Sequence, residues 1–204
     1  MSEHWNAYYK NKTEVDDCSP FAAHINWMLP AKSHIIDVGC GNGRDSYYFA
    51  KEGHNVEGFD LNTVPAAAEK CNFYRASMGN MPEKWNIDAV YSRFSIHSVP
   101  LDVELQFLEW AHKSLRPGGK LCIEARSIKD DLYGTGKKVG EHEYIGGTSY
   151  AGAHYRRFIV LSDLEKRIKQ EGFLIDHANE SDEYAPYKDQ RPCCVRVIAY
   201  KDNE

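Results

Sequence analysis

The sequence predicts an α/β fold, a doubly wound and mostly parallel sheet with helices on both faces. Three observations lead there. A short β-branched run, His34-Ile35-Ile36-Asp37-Val38, enters glycines at alternate positions, Gly39, Gly41 and Gly43, and a helix-like stretch from Arg44 to Glu52 begins at once. A second candidate strand, Asn55 to Phe59, is closed by Asp60, about twenty residues after the loop. From Ser33 onward strand and helix patterns alternate, which argues for parallel strands joined by crossover helices. Glycines admit backbone N–H groups to a ligand that a Cβ would hold off, and a carboxylate at Asp60 can accept from both ribose hydroxyls. The set predicts a nucleoside cofactor.

Taken in order, residues 1–30 are aromatic and polar, with Trp5, Tyr8 and Tyr9, and Ser19-Pro20-Phe21-Ala22 opens a helix through Met28 with proline in its first turn. After the second strand a helix is expected over roughly Thr63 to Lys70, then a third strand over Asn72 to Ala76, ending at Ser77-Met78. Ile87 to Arg93 reads as the fourth strand and leads into Phe94-Ser95-Ile96-His97. Ligands of open α/β sheets bind beyond the carboxyl ends of strands, so Arg93, Phe94 and His97 lie on the expected floor of the site. His97 is either a general base or a hydrogen-bonded structural residue. Asp102 to Leu115 is amphipathic, with Leu105, Leu108, Ala111, His112 and Leu115 near one face. Pro117-Gly118-Gly119 turns the chain into a fifth strand, Lys120 to Ala125.

Between Arg126 and Arg157 no period is clean, and the segment holds six glycines. Such long loops are usually functional, and its place after the fifth strand makes it the expected acceptor-binding element. Arg126, Tyr133, His142, His154, Tyr155, Arg156 and Arg157 are its candidate residues. Guanidinium forks bind oxyanions bidentately, so the paired arginines suit an anionic group; a solvated basic surface is the other reading. Ser162-Asp163-Leu164-Glu165 carries a capping-box pattern for a helix to Glu171. Phe173 to Asp176 opens a penultimate strand, and Cys194 to Tyr200 is the last. Between them Tyr184-Ala185-Pro186-Tyr187 supplies Tyr187 as a second wall.

The chain has 204 residues, 42% apolar and 27% charged, enough for one domain over 1–204 with a sizeable core. Its formal charge of −5 offers no global attraction to nucleic acid or anionic membrane. No run approaches the roughly twenty apolar residues of a membrane span, and the first residues lack a signal peptide's basic start, so a cytoplasmic protein is expected. Six cysteines are scattered without a CxxC, which predicts reduced thiols, neither disulfide nor metal site.

With Asp37-Val38-Gly39-Cys40-Gly41-Asn42-Gly43, Asp60 and Leu115-Arg116-Pro117-Gly118-Gly119, the chain closely resembles the class I S-adenosylmethionine-dependent methyltransferases from about Ser33 to its end. The resemblance implies a Rossmann-like, seven-stranded sheet whose last strand inserts antiparallel. It implies S-adenosylmethionine as cofactor and S-adenosylhomocysteine as product. Asp37, Gly39, Gly41 and Gly43, with Cys40 between them, would shape the methionine end, Asp60 followed by Leu61 would hold the ribose, and Arg44 or Tyr9 would meet the carboxylate. Related enzymes hold the adenine amine with an aspartate where this chain has Ser77, and Met78 is placed to pack on the purine. Arg93 completes the set. Residues 1–30 would act as a lid, bringing Tyr9 and Ser19 to the ligand, or would simply cover the sheet.

The insert 126–158, the run His154-Tyr155-Arg156-Arg157-Phe158 and Tyr184-Ala185-Pro186-Tyr187 resemble small methyltransferases of bacterial capsule and lipopolysaccharide biosynthesis, and more distantly tellurite-resistance methyltransferases. That implies O-methylation of a small anionic precursor of a surface glycan, with phosphoryl, phosphoramidate and sugar acceptors in range. A hydroxyl acceptor would need a base from His97, His142 or His154; an oxyanion would need only arginines. Three rivals remain: a nicotinamide dehydrogenase, opposed by the Gly-x-Gly-x-Gly spacing, a catalytically silent cofactor-binding partner, and a nucleic-acid methyltransferase, which would carry an Asn-Pro-Pro-Tyr-like motif where Ser92-Arg93-Phe94-Ser95 stands.

Overall fold

The computed structural model describes residues 17–148, 151–186 and 190–202. After helix α1 (Pro20–Met28) come strand β1 (His34–Val38), helix α2 (Arg44–Lys51), and strands β2 (Asn55–Asp60), β3 (Cys71–Arg75) and β4 (Ile87–Arg93). A single turn of 3-10 helix (Ile96–Ser98) precedes helix α3 (Leu101–Ser114) and the long strand β5 (Leu115–Arg126). Strands β6 (Lys137–Gly140), β7 (Glu143–Thr148) and β8 (Ala151–Arg157) follow, then helix α4 (Leu161–Gln170) and strands β9 (Phe173–Ser181) and β10 (Cys194–Lys201).

Seven strands form one sheet in the order β3-β2-β1-β4-β5-β10-β9. Strand β10 runs antiparallel to both neighbours, and the β3-to-β5 half is parallel. The doubly wound, Rossmann-like sheet with one inserted antiparallel strand is thus as expected. Side chains alternate across each strand, which sorts the core into two layers. Ile35, Ala89, Tyr91, Cys122 and Ile198 face Phe21 and Ile25 of α1 and Phe49 of α2. Ile36, Val38, Val90, Ile123 and Val197 face Phe107 and Leu108 of α3 and Leu164 and Ile168 of α4. Each fully buried aliphatic or phenylalanine side chain contributes about 1.5–3 kcal/mol. After β1 the chain adds β2 and β3 on one side and then returns to lay β4 on the other, so strand order reverses between β1 and β4. The glycine loop follows β1 and Phe94 follows β4, which puts both at that reversal.

Four expectations are corrected. The helix over 63–70 is absent. Pro65 biases Val64 toward extended backbone, Asp60 takes the N–H groups of Asn62 and Thr63, and Lys70 adopts φ 59° to close an Ala68–Cys71 bridge. Too few residues remain between Pro65 and Lys70 to nucleate a helix, whatever their propensity. The insert is regular: β6, β7 and β8 form a three-stranded antiparallel sheet. Glycines broke its sequence pattern, and Gly136 is one that the pairing requires, since a Cβ there would lie 2.3 Å from the Ile145 carbonyl oxygen. Helix α4 starts at Leu161 with Val160 as N-cap and no side-chain capping bond, so Ser162 sits inside its first turn. On α3 the buried stripe is Glu104, Phe107, Leu108, Ala111 and Ser114, while Leu105 is exposed.

Among the described residues no helix is long and apolar enough to cross a membrane. All six cysteines are free.

Candidate functional site

The site is built outward from the loop after β1. Gly39, Gly41 and Gly43 all adopt left-handed φ, 81°, 57° and 80°, which L residues with side chains reach only at a cost. At Gly39 the space is closed as well, because a Cβ would lie 2.4 Å from Ser95 Cβ in the loop after β4. The N–H groups of Gly39 and Cys40 donate to the Phe59 carbonyl at 2.7 and 3.2 Å, tying the loop to the end of β2. Cys40 packs beside Gly58, and burial raises its thiol pKa well above the ordinary value, so it is an uncharged packing group.

Asp60 joins that loop to the next. Its Oδ2 accepts from Gly41 N–H at 3.1 Å, and its Oδ1 from Asn62 and Thr63 N–H at 2.7 and 3.0 Å. Thr63 Oγ1 returns a bond to the Gly41 carbonyl at 2.5 Å. Beside it Leu61 is exposed, an apolar surface next to a carboxylate. Two buried polar atoms here have no partner among the described residues, Asn42 Nδ2 in the glycine loop and Asn62 Oδ1 after Leu61. Orphaned groups of this kind are costly unless something else satisfies them. A donor, an acceptor, a carboxylate, an apolar surface and a glycine cradle fit the adenosyl cofactor that the resemblance implies.

Asp37 is buried and accepts from Ser46 Oγ of α2 at 2.6 Å; burial raises its pKa to about 7. Ser19 caps α1 by accepting from Ala22 N–H at 3.0 Å, and it donates to Asp45 through both its amide, at 2.8 Å, and its hydroxyl, at 2.7 Å. Tyr91 OH and Arg44 Nε also donate to Asp45. Burial alone would raise the Asp45 pKa, but Arg44, Arg93 and Ser19 outweigh it and hold the carboxyl below its ordinary range. Ser19 therefore pins α1 to Asp45 of α2, and Arg44 pairs with the same carboxylate from within α2. Ser77 sits in a tight turn bridged to Asn80, and Met78 is buried in the core layer beneath α3. Tyr9 and Tyr187 lie outside the described residues.

Beyond β4, Phe94 takes φ 52°, an uncommon backbone state for a bulky residue. The Arg93 guanidinium carbon stands 4.4 Å from the centre of its ring and that of Arg126 stands 5.6 Å away, while His97 meets the ring edge-on with centroids 5.5 Å apart. Arg93 donates to the fully buried Glu124 at 2.7 Å, and Arg196 of β10 donates to the other oxygen of that carboxylate at 2.6 Å. Arg126 pairs with Asp130 at 2.7 Å. Residues Glu104, Glu124, Asp130 and Arg196 did not figure among the sequence candidates. Glu124 and Arg196 carried a signal, being charged residues within the apolar runs of β5 and β10; Glu104 and Asp130 did not stand out in polar surroundings.

Strand β8 brings further candidates to the same place. His97, Arg126, His154, Arg156 and Arg157 lie close enough that burial first, and then the four other groups, push the His97 pKa well below its ordinary value. His97 Nδ1 accepts from Arg126 N–H at 3.3 Å, which leaves the proton of the neutral ring on Nε2. His154 Nδ1 lies 2.9 Å from the Gly152 carbonyl oxygen, which can only accept, so that nitrogen carries the proton. The two arginines differ sharply. Arg157 bonds Glu104 and the carbonyls of Ile96 and Val99, whereas Arg156 has one hydrogen-bond partner among the described residues, the Gly146 carbonyl at 2.9 Å. Arg156 is only 5% exposed, and no described carboxylate is within ion-pair distance of it. Burial and then Arg126 lower its pKa to about 10, so it stays charged at neutral pH. Tyr133 and His142 are placed differently: with Tyr144 and Phe158 they form the aromatic core of the three-stranded sheet, Tyr133 OH lying 2.8 Å from His142 Nδ1. The Tyr155 phenol is raised in pKa by burial and by Glu143.

The comparisons agree with this architecture. A family model described as "Methyltransferase domain" matches residues 6–178. A ubiquinone biosynthesis O-methyltransferase of Pseudomonas aeruginosa (strain UCBPP-PA14) is 25% identical over 179 residues, 79% of this chain and 74% of its own. Among solved structures, a SAM-dependent methyltransferase of Methanosarcina mazei superposes with TM-score 0.76 at 17% identity, covering 93% of this chain and 100% of that one. The 1,6-didemethyltoxoflavin-N1-methyltransferase of Burkholderia thailandensis, solved with bound 1,6-didemethyltoxoflavin and S-adenosylhomocysteine, superposes with TM-score 0.72 at 17% identity, covering 98% of this chain and 86% of that one. At these identities the solved structures speak for the fold, and the family match spans most of the sequence. The chain belongs to the methyltransferase domain family.

Proposed function

We propose that the chain is an S-adenosylmethionine-dependent O-methyltransferase whose acceptor is a small anionic molecule. S-adenosylmethionine is the methyl donor and supplies an electrophilic methyl group on a sulfonium. Asp60 and the glycine loop hold its nucleoside and methionine parts, with Leu61 as the apolar surface beside them. The observation that carries the acceptor reading is Arg156, a buried guanidinium with one described hydrogen-bond partner, a backbone carbonyl at 2.9 Å, and no described carboxylate within ion-pair distance. A buried charge is stable only when paired, so a ligand oxyanion is its natural complement.

His97 adds to this, because its Nε2 proton is available to donate to an oxygen instead of taking a proton from one. An oxyanion acceptor needs no base, only alignment, and orientation of that kind can contribute about 7–11 kcal/mol in well-aligned cases. A surface-glycan precursor as acceptor draws support from the resemblance of the insert, and O-methylation from the curated relative. The six free cysteines support a reducing compartment such as the cytosol.

The test is transfer of labelled methyl from S-adenosylmethionine to matched charged and neutral acceptors, followed by mass spectrometry. Arg156→Gln should raise the Michaelis constant of the charged acceptors by roughly 10- to 150-fold, the equivalent of one charge-assisted hydrogen bond. Equal turnover of charged and neutral acceptors, with no effect of the substitution, overturns the oxyanion reading.

A further inference from the structure

The chain's own amides already occupy most of the Asp60 carboxylate. Its Oδ1 accepts from the N–H groups of Asn62 and Thr63 at 2.7 and 3.0 Å, and its Oδ2 from Gly41 N–H at 3.1 Å. A carboxylate oxygen offers about two lone pairs. Oδ1 is therefore filled, and Oδ2 has room for one more donor. The vicinal hydroxyls of a ribose bring two.

The same two loops hold unused capacity. Asn62 Oδ1 is a buried acceptor and Asn42 Nδ2 a buried donor, each with no partner among the described residues. An asparagine ahead of a helix normally spends its side-chain oxygen on the first turn. With no helix over 63–70, Asn62 has no turn to cap. Asn42 follows Gly41 and Asn62 precedes Thr63; Thr63 Oγ1 donates to the Gly41 carbonyl at 2.5 Å, and Asp60 accepts from the amides of both Gly41 and Thr63, so the loops of the two asparagines are tied together. A hydroxyl is at once donor and acceptor, which is what an unpaired acceptor and an unpaired donor require.

We propose that Asp60 Oδ2 accepts from one ribose hydroxyl of the cofactor, and that the other hydroxyl donates to Asn62 Oδ1 and accepts from Asn42 Nδ2. This inference rests on the S-adenosylmethionine reading above and is independent of the methyl acceptor. Asn42 and Asn62 are then cofactor-binding residues, and the two hydroxyls are recognised by different side chains instead of by one carboxylate. Removing either hydroxyl silences one set of contacts and leaves the other intact.

The test is calorimetric titration of the full chain with S-adenosylhomocysteine and with its 2′-deoxy and 3′-deoxy analogues. Each analogue should bind the unaltered protein roughly 5- to 150-fold more weakly than S-adenosylhomocysteine, the range for a buried polar group left without its partner. Asn62→Leu keeps the shape of the side chain without its acceptor and should weaken S-adenosylhomocysteine by a similar factor. Against one of the two analogues the same substitution should change affinity by less than about twofold, while the other analogue still registers the loss. Asn42→Ala should be silent toward that same analogue. A second readout needs no altered Asn62: in the unaltered protein labelled with nitrogen-15, the Asn42 side-chain amide, assigned by its loss in Asn42→Ala, should move downfield in its proton shift with S-adenosylhomocysteine and with one analogue only. Equal losses on all three ligands would make the asparagines supports of the loops alone and overturn the inference. Unchanged binding of S-adenosylhomocysteine by Asn62→Leu, silence of the two variants toward different analogues, or an Asn42 amide that responds alike to all three ligands would overturn it as well. Failure of S-adenosylhomocysteine to bind the unaltered protein is a separate result and sinks the cofactor reading itself.

Discussion

Replacing Glu104 by alanine tests the ion cluster that seats β8. Glu104 is fully buried on α3, and its two oxygens are taken by Arg157 at the end of β8 and by Arg167 Nε of α4, the latter at 2.7 Å. The alanine variant would leave Arg157, 7% exposed, with only the carbonyls of Ile96 and Val99, and Arg167 with no acidic partner among the described residues. Breaking a buried pair by removing one partner costs about 3–5 kcal/mol. For a chain of this size about 1 kcal/mol moves the melting temperature by about 2–4 °C, so a fall of about 6–20 °C is expected in thermal unfolding followed by circular dichroism. Glu104→Gln keeps an acceptor but not the charge and should fall between. A surface-type pair would be worth about 0–1 kcal/mol. A shift below about 4 °C for Glu104→Ala would therefore refute the claim that this cluster holds β8, and with it the mechanical basis for where Arg156 and His154 stand.

Two further outcomes follow from the cofactor side. Asp37 ionises at about 7 in the folded chain against an ordinary value of 3.8, so the folded state holds an extra proton between these pH values. The stability this contributes is complete below the lower value and lost as pH rises through the upper one, about 4 kcal/mol in all; urea midpoints of the unaltered protein should fall relative to Asp37→Asn between pH 4 and 8, and parallel curves would show that Asp37 keeps its ordinary pKa. Asp60→Asn keeps an acceptor for Asn62 and Thr63 N–H but removes the oxygen that meets Gly41 N–H, and calorimetric titration should show S-adenosylhomocysteine binding weakened by roughly 10- to 150-fold. An unchanged titration would remove Asp60 from the ribose role.

What the sequence by itself determined is the part whose signals are local. Strands β1, β2 and β4 were legible to the residue because a β-branched period needs no partner to be recognised, and the glycines after Val38 announce left-handed backbone wherever they stand. Asp60 was legible for the same reason, being the residue that ends β2. The candidates His97, Arg126, His154, Arg156 and Arg157 were named from residue type, and the fold does gather them. Tertiary structure alone decided what each of them does. The run over 63–70 has helical propensity that loses to Pro65 and to Asp60's claim on the neighbouring amides. The β6–β8 sheet is held by cross-strand pairs whose glycines erase any readable period. Most tellingly, Arg156 and Arg157 are identical neighbours in sequence, yet a carboxylate 53 residues away neutralises one and not the other. Strand alternation turns adjacent side chains to opposite sides, and which side holds a buried glutamate is a fact of packing between β8 and α3 that no local pattern encodes.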